Sequence, residues 1–220
     1  MDIGKAQKSL VSTLRNDIAC GMGFLAPGSR VVTARHCVNH TLETVEKLVR
    51  VSHFLNPEAS ADMVVEWFDK TYRFDVAVLK PKPGTEEAFA DFVKQLTAAP
   101  VQFSPPEWDK ELTVHFRRHD AGWETGTARF ILDDDGMGVK AEPDAVEIKS
   151  DPVIPVHKGT SGTPIFDDTG AVVGVMRESA ADADPYPGLE EGDGNTPPAF
   201  APLTYSLADH KHLFDHEAHE

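Results

Sequence analysis

Cysteine is nearly missing: the 220-residue chain has two, Cys20 and Cys37. That excludes a disulfide-dense scaffold and leaves too few thiols for a structural zinc site built on cysteine. No apolar run approaches the ~18–20 residues that a membrane-spanning helix needs. Positive charge is also short, with 21 Lys and Arg against 36 Asp and Glu, for a net charge of −15. This balance argues against non-specific nucleic-acid binding and against docking on an anionic membrane. Its plain meaning is solubility. The N-terminal MDIGKAQKSLVSTLRND has charges but no continuous apolar stretch of a secretory signal. The expectation is a cytoplasmic protein with reduced thiols, a secreted protein that has lost its leader being the alternative.

What is present suits a turn-rich β protein. There are 16 prolines and 16 glycines, and 40% hydrophobic residues with 12 Phe can build a core. Short apolar runs bounded by turn residues predict strands over 9–14, 18–26, 31–34, 63–68 and 75–79. Others follow at 112–117, 126–132, 146–149, 163–166, 171–176 and 200–203. Residues 1–7 read as a short leader. Residues 42–54 are ambiguous, because Val45, Leu48 and Val51 fall at helix-like spacing. Phe89, Phe92, Val93 and Leu96 share one stripe, which predicts a connecting helix over 85–97. Residues 180–198 lack periodicity and predict an exposed acidic loop. Asp133-Asp134-Asp135-Gly136 reads as a hairpin turn before a calcium site. Residues 206–214 predict a terminal helix, and His210, His212, His216 and His219 a solvated end rather than a metal tract.

The chemistry gathers at Lys158-Gly159-Thr160-Ser161-Gly162-Thr163-Pro164. A serine flanked by glycine on a tight loop between strands is a good place for an exposed nucleophile. Small neighbours let a carbonyl approach, and the loop's N–H groups can turn toward its oxygen. A serine hydroxyl needs a base, and the base an orienting carboxylate. Two candidates lie upstream. His36 follows the apolar Arg30-Val31-Val32, and Asp75 enters the run Val76-Ala77-Val78-Leu79.

These three segments resemble, in the order His, Asp, Ser, the chymotrypsin-like (trypsin-like) serine peptidases, especially the bacterial HtrA-type and V8-type branch. GMGFL (21–25) with VVTARHC (31–37) is similar to the histidine segment. FDVAVLK (74–80) is similar to the aspartate segment, and KGTSGTPIFDDTGAVVGV (158–175) to the serine segment. The resemblance spans residues 8 to 206.

The resemblance implies an all-β fold of two six-stranded Greek-key β-barrels with a short connecting helix and a C-terminal helix. The first barrel would span 8–83 and carry His36 and Asp75. A linker with its helix would take 84–106, the second barrel with Ser161 107–206, and a tail 207–220. No PDZ-like module fits the remaining length. The resemblance makes Ser161 the nucleophile, His36 the general base and Asp75 its orienter, with the N–H groups of Gly159 and Ser161 as the oxyanion hole. Pro155, Val156, His157, Lys158, Met176, Arg177, Glu178 and Ser179 would line the specificity pocket. Pro155, Val156 and Met176 favour a small or medium apolar residue before the scissile bond; His157, Lys158 and Arg177 could instead take an acidic one. No cofactor and no metal are expected. Cys20 and Cys37 fall where the family often has a disulfide, which implies that they are neighbours in space. Two departures stand out. Thr160 occupies the place of the aspartate that proteolytically activated members carry, so no trypsinogen-like activation is expected. Thr163 stands where glycine is commoner.

Three functions compete. The first is a serine endopeptidase acting on protein or peptide substrates through an acyl-enzyme. The second is a regulated protease of a bacterial signalling or defence pathway, opened by an activating protein partner. The third is a non-catalytic peptide-binding module on the same fold.

Overall fold

The computed structural model of the chain describes residues 2–70, 75–96, 101–104, 111–118, 122–129, 146–149, 161–176, 199–202 and 212–214. A short helix, α1 (Ile3–Lys8), opens the chain, where the sequence had suggested only a leader. Asp2 caps it, its side chain accepting from Lys5 N–H at 3.2 Å.

Six strands then close into a barrel: β1 (Leu10–Arg15), β2 (Ile18–Ala26), β3 (Arg30–Ala34), β4 (Leu48–His53), β5 (Asn56–Phe68) and β6 (Val76–Pro81), in the order β1-β2-β3-β6-β5-β4. All its pairings are antiparallel, and β1 against β4 completes the ring. Asn16 and Asp17 turn β1 into β2 with φ of 52° and 62°, a left-handed pair that suits a two-residue hairpin. The ambiguous stretch resolves into two parts. Asn39–Leu42 forms the helical turn α2, and Leu48–His53 is strand β4. Pairing with β1 and β5 overrides the helix-like spacing, because Val49 and Val51 point into the barrel while Arg50 stays exposed.

The helix α3 (Glu86–Leu96) forms where its stripe predicted. Glu86 and Glu87 sit in its first turn, where acidic charge suits the helix dipole. Phe89, Phe92 and Leu96 are buried with Val49, Met63 and Leu79 on the first barrel. Residues 101–104 then stitch the two halves together. Val101 N–H donates to Leu25 O at 3.2 Å, and Ser104 N–H to Val172 O at 3.0 Å.

The second sheet comprises β7 (Glu111–Arg118), β8 (Gly122–Arg129), β9 (Val146–Lys149), β10 (Pro164–Phe166), β11 (Val172–Met176) and β12 (Ala199–Pro202). Its order is β10-β11-β12-β9-β8-β7, and β7 meets β10 again at His115 and Phe166. The chain is thus mostly β with few helices.

Alternation along the strands divides the apolar residues among three cores. Val31, Leu25, Ala77 and Leu79 fill the first barrel. Val114, Phe116, Ile165, Val173 and Met176 fill the second sheet. Met22, Phe24, Val32, Val76 and Val78 pack instead against Phe166, Val172 and Val175, forming a seam between the two. That is why Val76 to Leu79 read as an unbroken apolar run: β6 is buried on both faces, with all four residues at 0% exposure. The seam is also where the chemical side chains lie.

Candidate active site

His36 stands in the 3-10 turn that follows β3, Asp75 immediately precedes β6, and Ser161 opens the turn before β10. Since β3 and β6 are paired, with Ala34 opposite Val76, the histidine and aspartate come from adjoining strand ends. Asp75 Oδ2 lies 2.5 Å from His36 Nδ1, and Asp75 Oδ1 accepts from the His36 backbone N–H at 3.0 Å. The carboxylate therefore grips both ring and main chain. A carboxylate on Nδ1 fixes the tautomer with its proton there and leaves Nε2 for exchange with another group.

Asp75 holds this position with φ at 52°, a left-handed conformation that is uncommon for a residue with a side chain. Its main chain is tied on both sides. Arg35 N–H donates to Asp75 O at 2.7 Å, and Asp75 N–H donates to Asp69 Oδ2 at 3.3 Å. The electrostatics follow. Burial of the imidazole opposes its charge, but the adjacent Cys37 sulfur and the Asp75 carboxylate outweigh burial and push the His36 pKa up.

Ser161 is buried and attached to the first barrel through its carbonyl. Met22 N–H donates to Ser161 O at 2.8 Å, and Cys37 Sγ lies 3.6 Å from the same oxygen. Met22 is itself held: Thr33 Oγ1 donates to its carbonyl at 2.6 Å, and Thr163 Oγ1 donates to its sulfur at 3.3 Å. Gly162, at φ 85°, presses on this arrangement. A Cβ there would overlap Met22 O and come within 2.6 Å of Thr33 Oγ1, so the serine turn can lie against β2 only with glycine. On its other side Gly162 N–H donates to Met176 O, and Met176 N–H to Thr163 O, each at 2.9 Å.

His36 and Asp75 are thus joined directly, and Ser161 joins their frame through Met22 and Cys37. Among the described residues, no hydrogen bond links the His36 ring to the Ser161 side chain. Cys20 and Cys37 are neighbours, with Cys20 Sγ 3.4 Å from Cys37 O, and both are free thiols. Burial, and after it the nearby Cys37, push the Cys20 thiol pKa up. Met176 is fully buried among the apolar residues of the second sheet and meets the serine turn through its main chain. Gly159, Thr160, Pro155, Val156, His157, Lys158, Arg177, Glu178 and Ser179 lie outside the described residues, as do the stretches 133–136 and 180–198. Among the described residues no cluster of His, Cys, Asp or Glu could hold a metal ion, and no helix is long and apolar enough to cross a membrane.

Sequence reasoning missed the residues that hold this frame: Thr33, Arg35, Asp69 and the main chain of Met22. Arg35 offered a weak signal as a charged residue beside His36 on a buried turn. Asp69, six residues before Asp75, offered none.

Fold and site together define a β protein of the chymotrypsin-like architecture with a carboxylate-bound histidine at its seam. The chain matches the model of the trypsin-like peptidase domain over residues 21–175, and it belongs to that family. Solved structures agree on the fold. A mutant of the Rv3671c protease of M. tuberculosis H37Rv in an inactive form is 20% identical, with a TM-score of 0.53, covering 94% of this chain and 88% of that one. The MamO protease domain of Magnetospirillum magneticum is 12% identical, with a TM-score of 0.58 and coverage of 93% and 97%. Neuropsin, a serine protease of mouse brain, is 14% identical, with a TM-score of 0.57 and coverage of 96% of each chain. At these identities the likeness is one of fold. Comparison with curated proteins finds no match.

Proposed function

We propose that the protein is a serine endopeptidase. Ser161 Oγ attacks the carbonyl carbon of a peptide bond, and His36 in its neutral form takes its proton, so turnover rises as pH climbs toward the raised pKa of the imidazole. The tetrahedral intermediate collapses as His36 passes that proton to the leaving amine, which departs and leaves an acyl-enzyme. Water, deprotonated by His36, then releases the second product and restores the serine. Asp75 keeps the imidazole in its working tautomer and stabilises the charged form. The N–H groups of Gly159 and Ser161 receive the oxyanion. The second sheet is taken as the second barrel, with the nucleophile on the turn that enters β10. The substrate is a protein or peptide, and the reaction draws on no cofactor.

One observation carries the proposal: the 2.5 Å contact between His36 Nδ1 and Asp75 Oδ2, at the seam where the residue after His36 touches the Ser161 carbonyl. An Nδ1 held by a carboxylate is what a general base needs and what a merely structural histidine does not. The test is labelling of the purified protein by a fluorophosphonate probe, together with turnover of casein or a peptide library. Labelling is expected in the native protein and none in Ser161→Ala. An unlabelled native protein that still binds peptides would replace the peptidase with a binding module. Turnover only after addition of a second protein would replace it with a partner-opened protease.

A further inference from the structure

We infer that Asp69 is a positioning residue, whose side chain holds Asp75 in the left-handed conformation that aims its carboxylate at His36. The role rests on the peptidase reading for its catalytic consequence and on geometry alone for its structural one.

Asp69 is 5% exposed, a buried carboxylate that the proton relay does not use. It grips the start of β6 twice. Its main-chain N–H donates to Val76 O at 2.9 Å, and its Oδ2 accepts from Asp75 N–H at 3.3 Å. Arg35, also buried, grips the other side. Its N–H donates to Asp75 O at 2.7 Å, while its Nη1 donates to Asp69 O at 2.8 Å. The Arg35 guanidinium lies over the Phe68 ring, 5.1 Å from its centroid, which anchors the residue just before Asp69. Arg35 and Asp69 therefore close a ring of hydrogen bonds around Asp75.

That ring has something to oppose. A left-handed φ of 52° is uncommon outside glycine; aspartate tolerates it better than most residues, and here it is held with both neighbouring peptide groups tied. Asp75 N–H is the one main-chain donor of this left-handed residue, and the Asp69 carboxylate is its acceptor. Remove that acceptor and the buried N–H is left unsatisfied in a conformation already disfavoured. The backbone then relaxes toward negative φ and carries the carboxylate away from His36 Nδ1. A contact of 2.5 Å tolerates little such movement.

The test compares Asp69→Ala with Asp69→Asn, whose amide oxygen can accept the same bond. Two readouts are used. One is the low-field proton resonance of the His36–Asp75 hydrogen bond, seen by NMR without any substrate. The other is steady-state peptide turnover with fluorophosphonate labelling. Asp69→Ala is expected to weaken or abolish the resonance and to lower kcat about tenfold with KM little changed. Asp69→Asn is expected to restore both. Should the alanine chain not fold, Asp69→Leu, of similar shape but with no acceptor atom, takes its place with the same expected losses. The inference is overturned if the acceptor-less variant keeps resonance and kcat, or if asparagine fails to restore them. A native protein with the resonance but without labelling would sink the peptidase reading, while the resonance arm would still decide the role of Asp69.

Discussion

Replacing Gly162 by alanine tests how tightly the serine turn is pressed onto the first barrel. The added methyl meets two separate penalties. Gly162 has φ 85°, and the left-handed region costs a side-chain-bearing residue ~1–2 kcal/mol. The methyl would also overlap Met22 O and come within 2.6 Å of Thr33 Oγ1. Neither neighbour can yield freely, since these two atoms are hydrogen-bonded to each other and Met22 N–H holds Ser161 O. Overpacking a rigid site costs ~1–3 kcal/mol. The total is about 2–5 kcal/mol, or roughly 4–20 °C in Tm for a chain of this size. Gly84→Ala provides the internal standard. Gly84 has a φ of 84°, but its methyl would meet nothing within 4 Å, so that variant carries the strain alone. Denaturant unfolding gives both stabilities, and the fluorophosphonate labelling rate reports the nucleophile. Gly162→Ala should be the less stable of the two, and only it should label more slowly. Equal stabilities with unchanged labelling would refute the close approach of the serine turn to β2.

Two further outcomes follow from the site. Because the His36 pKa is raised above its ordinary 6.5, its protonated form stabilises the fold. That contribution should be complete below about 6.5 and be lost as pH climbs through the raised value; thermal unfolding at alkaline pH should show the loss, and Asp75→Asn should flatten it. A Tm that is flat with pH in the native protein, or identical in both proteins, would contradict it. Gly21→Ala would drive a methyl into Cys37 Sγ and within 3.1 Å of Ser161 O. Removing the sulfur with Cys37→Ala should relieve part of that cost, giving a coupling of about 1 kcal/mol in a double-mutant cycle; simple additivity would show that the two residues do not meet.

Much of the strand content was legible because it is a property of short windows. The seam and barrel strands around Val31, Val78 and Val173 read correctly from apolar runs and flanking turns, and the stripe from Phe89 to Leu96 marked α3. The errors have physical causes. β4 was ambiguous because Val45, Leu48 and Val51 satisfy a helical period, and only pairing with β1 and β5 decides between periods. The first half of β5, Asn56 to Asp62, is polar and exposed along much of its length, and it is strand because β4 pairs with it. The hairpin turn at Asn16-Asp17 passed unread although both residues tolerate positive φ.

The candidate site was legible only as separate segments. Three segments could be picked out as serine, histidine and aspartate candidates because each pairs a reactive side chain with a strand end. What kept them in place could not be, since the supports come from residues with no local signature. Asp69 is one acid among 36 Asp and Glu, and nothing in its neighbourhood marks it as the acceptor for Asp75. The amino-acid sequence by itself determined most of the strand segments and which side chains are available at their ends. The tertiary structure decided that Cys37 and Ser161, 124 positions apart, share a contact, and that Asp75 is held in a left-handed conformation. Periodicity acts over a few residues, whereas the seam exists only after sheets close and press Met22 against Gly162.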